Sequence, residues 1–404
     1  MATVKNAQKH QAIVTDGLWR KSLSTVRSLG KAGFEVHVMG GSSLTTSFWS
    51  KHASTRTVSP LASQDPAGFG SALTGLISKI SLACPGARPV LFPMEDPSLR
   101  WVAANRSQLE KISHFLLPTD YALQSAFDKG ITMKVAREAG LPCPRTWEPS
   151  SAEEFIRIAQ SQPEDRFVIK PRSGTGSSGI KYGERATAEE LRAHWKKHGS
   201  CIIQERIPRQ GTGVGVSLLF DRESRCRAIF THKRLREYPH SGGPSTDRMS
   251  VHMPELEVMS IELMKRISWR GIAMVEWKID PRDGRPRLME INPRFWGSLE
   301  LAVRAGVDFP ALYARAAMGE DLPPPPPYKE GVRCRWMIPG DILRYLTSPW
   351  KDREGICKFL GGLPGSAEEW DAHDLKGTLG AIFCTGALAL NPRYWKYVRR
   401  RGGT

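Results

Sequence analysis

At 404 residues and 40% hydrophobic content, the chain is long enough for two or three cooperating cores, which excludes a small stapled domain and a wholly disordered chain. Lysine and arginine outnumber the acids 58 to 41, a formal charge of +17 with a pI near 9.7, so an anionic ligand, an acidic partner or an acidic surface is expected. Seven scattered cysteines without a CxxC pair argue against a disulfide framework or a zinc site and fit reduced thiols in the cytoplasm.

In chain order, MATVKNAQKHQAIV shows no apolar signal core. Residues 11–40 then run from QAIVTDG through WRKSLSTVRSLGKAG to FEVHVMG, which predicts a βαβ opening. Its first turn reads TDGLWR rather than GxGxxG, so NAD binding is not expected, and VLFPMED (90–96) is a further strand ending in acids. A boundary is expected near 120. From Asp128, DKGITMKVAREAGLPCPRTW is a helix stopped by Gly140 and two prolines. SAEEFIRIAQ and TAEELRAHWKKHG read as helices that precede the strands RFVIKP and CIIQERI, and SGTGSSG is a loop between those strands. Five prolines at 323–327 form a stiff spacer, and the residues beyond it are an extension. There GTLGAIFCTGALAL (377–390), followed by the basic NPRYWKYVRRR, is too short to span a bilayer but could rest on one; a packed helix with a solvated basic end is the plainer expectation.

The chemistry gathers in GIAMVEWKIDPRDGRPRLMEINPR, residues 271–294, where two alternating runs flank a turn, the pattern of a β-hairpin. Glu276 and Lys278 share one face of the first run, and Glu290 and Asn292 share one face of the second. A three-residue loop at Asp283, Gly284 and Arg285 is expected to pair Glu276 with Glu290 and to bring Asn292 beside them. Carboxylates opposed at ~4 Å repel by about 4 kcal/mol at an effective dielectric near 20, so the pairing is costly unless a cation sits between them. Magnesium suits such oxygen ligands; a solvent-facing hairpin with the glutamates on opposite faces is the alternative.

In FVIKPRSGTGSSGI (167–180), Lys170 precedes a loop containing Ser173, Gly174, Gly176, Ser177 and Ser178, whose backbone N–H groups could approach phosphate oxygens; a plain surface turn is equally consistent. No Walker GK[ST] follows. In CIIQERIPRQGTGVGVSLLF (201–220), an apolar strand broken at Gln204, Glu205 and Arg206, the exposed strand edge beside a carboxylate could read an adenine amino group or simply connect sheets.

The order Asp128-Lys129, Lys170 with its glycine loop, Gln204-Glu205, Glu276, then Glu290-x-Asn292-x-Arg294 resembles the ATP-grasp superfamily over roughly residues 10–320, in particular its carboxylate-amine ligases. The resemblance implies an N-terminal α/β, Rossmann-like pre-ATP-grasp domain (1–120) and a two-subdomain ATP-grasp fold (121–325, lid subdomain at about 166–204). A basic C-terminal extension (326–404) would follow. It implies ATP as nucleotide with one or two Mg²⁺ ions, Mn²⁺ being an alternative. Lys129, Lys170 and the 173–179 loop would contact phosphates; Gln204, Glu205 and the backbone near Ile207 would hold adenine. Glu276, Glu290 and Asn292 would hold metal, and Arg294 with Lys170 would act in catalysis on the transferring phosphoryl group. The expected reaction activates a small-molecule or peptide carboxylate, an acidic one given the charge, as an acylphosphate and joins it to an amine. A homodimer and a peripheral membrane contact through the C-terminus are compatible with it.

THKRLREYPHSGGPSTDRMS (231–250) is expected as a loop bordering the site, with His232, Arg236 and Arg248 as candidate contacts to an acceptor carboxylate. Three other readings stand beside the ligase. One is biotin-carboxylase or carbamoyl-phosphate type chemistry on bicarbonate, disfavoured by the lack of a biotin carrier or glutaminase segment. The second is a non-catalytic nucleotide-binding protein that docks on a membrane or a biosynthetic complex. The third is a basic nucleic-acid-binding protein, disfavoured by dispersed charge; no nucleic-acid partner is expected.

Overall fold

A computed structural model describes residues 9–163, 166–174, 179–183, 186–240, 242–350 and 353–390. The opening βαβ forms as its periodicity predicts: β1 (Gln11–Val14), the helix Arg20–Lys31 and β2 (Glu35–Gly40). With β3 (Ala53–Val58) and β4 (Val90–Phe92) they make a parallel sheet of order β3-β2-β1-β4. Because β1 pairs in parallel with both β2 and β4, the crevice beyond the carboxyl ends of β1 and β4 is a topological switch point. Thr15, Asp16, Glu95 and Asp96 lie at that edge.

A second, antiparallel sheet contains β5 (Thr146–Trp147), β6 (Phe167–Pro171), β7 (Lys181–Tyr182) and β8 (Cys201–Glu205) in the order β5-β8-β6-β7. The helices Ala152–Ser161 and Ala188–His198 cover one face, packing Phe155, Ile156 and Leu191 on Phe167, Ile169 and Ile203. This core is separate from the rest of the molecule. Period-two alternation then turns Lys170 and Gln204 to the opposite face.

The third sheet has the order β13-β12-β9-β10-β11-β14, from β9 (Gly213–Phe220), β10 (Cys226–Glu237), β11 (Ser245–Ser250), β12 (Gly271–Ile279), β13 (Pro286–Asn292) and β14 (Arg333–Arg335). Its Val214, Val216 and Val275 share one core with Ile13 and Leu91 of the first sheet, so those two sheets are braced against each other. The expected loop at 231–250 is instead most of the β10–β11 hairpin, in which His232 pairs with Ser250 and Arg234 with Arg248 along a ladder bulged near Arg236, while Thr231, His232, Thr246 and Arg248 are buried. The hydrophilic composition concealed this; the strands bury their polar side chains in ion pairs rather than exposing them.

Residues after the proline spacer are tied to the whole. β14 adds to the sheet edge beside β11, and Asp374 accepts from Arg27 of the first helix at 2.9 Å. All seven cysteines are free. Among the described residues, no helix is long and apolar enough to cross a membrane.

Candidate functional site

β12 and β13 place Glu276 directly opposite Glu290. The expected pairing is present, but the loop joining the strands is longer than expected, since Ile279 pairs with Pro286; a bulge at Met289 restores the register. Asn292 Nδ2 lies 3.1 Å from Glu276 Oε1 and 3.5 Å from Glu290 Oε1, so an amide N–H group sits where two like charges converge. Burial pushes the Glu276 carboxyl up from its ordinary pKa, Arg234 acts against that and Glu290 adds to it. The other oxygen of Glu276 is taken by Arg234, which also donates to Glu237 at 3.2 Å. Burial opposes the charge on Arg234, and those two carboxylates more than restore it, leaving its pKa above the ordinary value.

Lys170 enters from the second sheet. Its Nζ donates to Gln204 Oε1 at 2.7 Å, and Gln204 Nε2 donates onward to Thr146 Oγ1 at 3.0 Å. Gln204 therefore spends its side chain on aiming the lysine. Burial lowers the Lys170 pKa to about 8, with Glu290 raising it and Lys129 lowering it, so the ammonium looks across at the paired glutamates. The base of the glycine loop is pinned from below. Asp128 caps the helix Lys129–Glu138 and pairs with Arg172 at 3.0 Å, while Lys129 Nζ donates to the Gly174 carbonyl at 3.2 Å. Ser173 and Gly174 stand at the end of that loop; Gly176, Ser177 and Ser178 lie outside the described residues.

Glu205 ends β8, its carboxylate paired with Arg282 at 2.6 Å and accepting from the Arg145 backbone N–H at 3.3 Å. Ile207 follows, buried. Arg294 lies at the switch point of the first sheet, donating from Nε to Asp96 at 2.7 Å. Burial opposes its charge, and Asp96 and Glu95 outweigh that opposition. Lys21 completes this cluster, 2.7 Å from Glu95 and donating to the Phe295 carbonyl at 3.0 Å; burial first, then Arg294, lower its pKa to about 8.

The remaining candidates are engaged otherwise. His232 is buried beneath the sheet, 3.2 Å from Ser298 Oγ, and burial drives its pKa down to about 3, so it is a neutral packing group. Arg236 is held by Asp247 and Asp341, each at 2.8 Å, and by Glu354. Arg248 is fully buried against Glu368. Both arginines, expected to meet a substrate carboxylate, are instead neutralised by the protein's own acids, most of them from the C-terminal segment. Sequence reasoning passed over Lys21 and Asp96 as site residues, although the acid-ended strand VLFPMED marked the place; Lys21 stands in an ordinary amphipathic helix and carries no such signal.

Among the described residues no group of three or more His, Cys, Asp or Glu is assembled to hold a metal ion, so the donors on offer are the Glu276–Glu290 carboxylate pair with Asn292, oxygen chemistry of the kind magnesium takes. Two carboxylates and an amide leave room for water and phosphate oxygens, as Mg²⁺ prefers. The residues fit the ion.

Comparison with known proteins agrees with this geometry. Residues 126–298 match the family described as "ATP-grasp domain". Acetyl-CoA carboxylase 1 from Oryza sativa subsp. japonica is 26% identical over 247 residues, covering 53% of this chain and 11% of that protein. The carbamoyl phosphate synthase large chain from Thermotoga petrophila is 22% identical over 246 residues, covering 57% and 22%. The chain thus matches only a minor part of the length of either relative. Among solved structures, the biotin carboxylase domain of Hydrogenobacter thermophilus 2-oxoglutarate carboxylase, in complex with MgADP, ADP and bicarbonate, superposes with TM-score 0.61 at 16% identity, covering 81% of this chain and 74% of that one. N5-carboxyaminoimidazole synthetase from Staphylococcus aureus with ADP gives TM-score 0.58 at 16% identity, covering 78% and 79%. L-amino acid ligase from Bacillus licheniformis gives 0.57 at 15%, covering 78% and 75%. With a parallel N-terminal sheet followed by two antiparallel sheets, the chain shares its fold with these structures, and its residues 126–298 are similar to the ATP-grasp domain family.

Proposed function

We propose that this protein is an ATP-dependent ligase that activates a carboxylate as an acylphosphate and joins it to an amine, releasing ADP and phosphate. The observation that carries the reading is the convergence of Lys170 from one sheet on Glu276 and Glu290 of the other. In this reading the ammonium of one sheet and the carboxylates of the other would flank a common nucleotide site.

In this reading Lys129 and Lys170 neutralise ATP phosphates, with Ser173 and Gly174 beside them. Gln204 fixes Lys170, and Glu205 with the backbone at Ile207 borders the adenine. Glu276, Glu290 and Asn292 would hold magnesium, the Asn292 amide turning its Oδ1 toward the ion where its Nδ2 now faces both carboxylates. Magnesium supplies charge neutralisation between phosphate oxygens. Arg234 and Arg294 bracket the glutamates and place positive charge where negative charge develops on the transferring phosphoryl group. A carboxylate so phosphorylated carries a good leaving group, and an amine attacks its carbon with release of phosphate.

The substrates would be a small-molecule or peptide acid and an amine, handled in the cytoplasm by a monomer or homodimer. A peripheral membrane contact through the C-terminal segment belongs to the same reading. The names of the relatives favour a second reading, in which the activated acid is bicarbonate. ADP and phosphate release from Mg-ATP, measured with pooled carboxylic acids, amines and bicarbonate, tests both. Amine-dependent turnover with an amide product, lost in Glu290→Ala, supports the ligase. Turnover with bicarbonate alone moves the assignment to the second reading, and silence in every pool removes both.

A further inference from the structure

The helix Leu375–Ala389 is built inside out for a packed surface helix. Its inward face carries small residues: Gly377, Gly380, Ala381 and Cys384 are buried. A Cβ at Gly380 would stand 2.2 Å from the Trp49 Cβ, so glycine is what lets the helix lie flat on the segment Thr46–Trp49. The large apolar residues point the other way. Leu375, Leu379, Ile382, Phe383 and Leu390 are 51%, 64%, 44%, 55% and 86% exposed, and Trp49, 42% exposed, stands against Phe383 with ring centroids 5.5 Å apart. At about 100° per residue, the five helix residues fall within an arc of about 100°, one continuous stripe. The usual amphipathic helix buries such a stripe.

The electrostatics of the surroundings identify what the stripe faces. The helix itself contains no acid, and the exposed Lys376 and Lys51 flank the stripe. The sequence then continues NPRYWKYVRRRGGT, with five basic residues, three aromatic residues and no acid. Apolar stripe, interfacial aromatics and adjoining basic cluster are together the chemistry of an anionic bilayer surface. A nucleic acid would leave the leucines without a partner. We propose that the outer face of this helix, with Trp49 and the exposed Lys51 and Lys376, docks the protein on anionic lipid while its helix axis lies in the membrane plane, the basic sequence after 390 adding positive charge. The Arg27–Asp374 and Lys31–Asp371 ion pairs, at 2.9 and 2.7 Å, fix that helix to the first helix of the Rossmann-like domain, so docking would orient the whole molecule. This deepens the peripheral contact included above and does not depend on the ligase chemistry.

Flotation of the full chain with phosphatidylcholine vesicles, and with vesicles containing phosphatidylglycerol, tests it. Expected are partitioning at least about tenfold stronger onto the anionic vesicles, weakened by salt, and loss of at least about tenfold in Leu379→Glu/Phe383→Glu. Replacing Arg399, Arg400 and Arg401 by glutamine should weaken binding separately, without touching the folded helix. Equal recovery of wild type and double variant from both vesicle types overturns the proposal. So does a dimer, measured by light scattering without lipid, that the double variant converts to monomer while wild type ignores vesicles, because the stripe then belongs to a second copy. Nucleotide turnover in the double variant should stay at the wild-type level, which separates failure of docking from failure of the ligase reading.

Discussion

Arg294 donates from Nε to Asp96 at 2.7 Å across 198 positions of chain, joining the end of the strand that carries Glu290 and Asn292 to the switch point of the N-terminal sheet. One guanidinium therefore reads two domains at once. The bond orients Arg294, whose Nη1 donates to the Phe295 carbonyl at 3.1 Å, and the Glu290 charge helps hold its guanidinium ionised.

Asp96 is thus a positioning residue. Asp96→Ala should leave ATP affinity within about threefold of wild type and lower kcat by about 10- to 100-fold, because the lost orientation matters mainly where charge develops. Asp96→Glu should recover part of that loss. A change confined to KM, with kcat unaltered, would assign Arg294 to ground-state binding instead.

The glutamate pair makes a prediction with opposite signs for stability and activity. Glu276 and Glu290 are opposed in the ladder, and burial together with Glu290 holds the Glu276 carboxyl above its ordinary pKa. Glu290→Gln removes a cross-strand repulsion and should stabilise the metal-free protein by about 0.5 to 1 kcal/mol. The same change should reduce Mg-dependent ADP release by at least about 100-fold. Because protons compete with the metal at Glu276, Mg²⁺ affinity should fall as pH falls. Thermal unfolding without Mg²⁺ reads the first sign, and Mg-dependent ADP release reads the second.

Lys170 should give ATP binding a pH dependence of the opposite kind. Its pKa stands at about 8, below the ordinary lysine value, chiefly because it is buried. Below that pH it is charged and matches phosphate; above it the amine is neutral. ATP affinity should therefore weaken by about tenfold between pH 7 and 9, and binding at pH 9 should take up protons. Calorimetry in buffers of different ionisation enthalpy measures that uptake. A flat profile, identical in wild type and Lys170→Met, would remove the lysine from the phosphate site.

Local patterning carried much of this architecture. The alternation of Glu276 and Glu290 with Val275 and Ile291 was enough to set their faces, and the run of Lys170, Gln204, Glu290 and Asn292 along the chain was enough to point to the ATP-grasp domain that residues 126–298 match. What the sequence hid was long range. The hairpin at 226–250 looks like a loop because Arg236, Asp247 and Arg248 are polar, and only the distant partners Asp341, Glu354 and Glu368 explain how a sheet can bury them. Composition cannot reveal a salt bridge between positions 120 residues apart. The bulge at Met289 was hidden for a related reason, since a one-residue register change leaves no mark on an alternating run that ends in a polar turn.

Those buried pairs make the C-terminal segment a clasp. Glu368 meets Arg248 of β11 and, at 2.9 Å, Arg20 of the first helix, so one carboxylate holds the Rossmann-like domain to the edge of the large sheet. Burial lowers the Arg248 pKa to about 10, with Arg20 acting in the same direction, and Glu368 accepts from both cations. Glu368→Ala leaves two largely buried guanidinium groups with a lost partner and should destabilise the protein by about 3 to 5 kcal/mol. Replacing Arg248 in the same chain, Glu368→Leu with Arg248→Met, removes the stranded charge along with its partner and should recover more than half of that loss. Urea denaturation of wild type, the single variant and the double variant decides it. If the single variant unfolds with wild type, the clasp contributes no stability, and the C-terminal segment is attached by its apolar contacts alone.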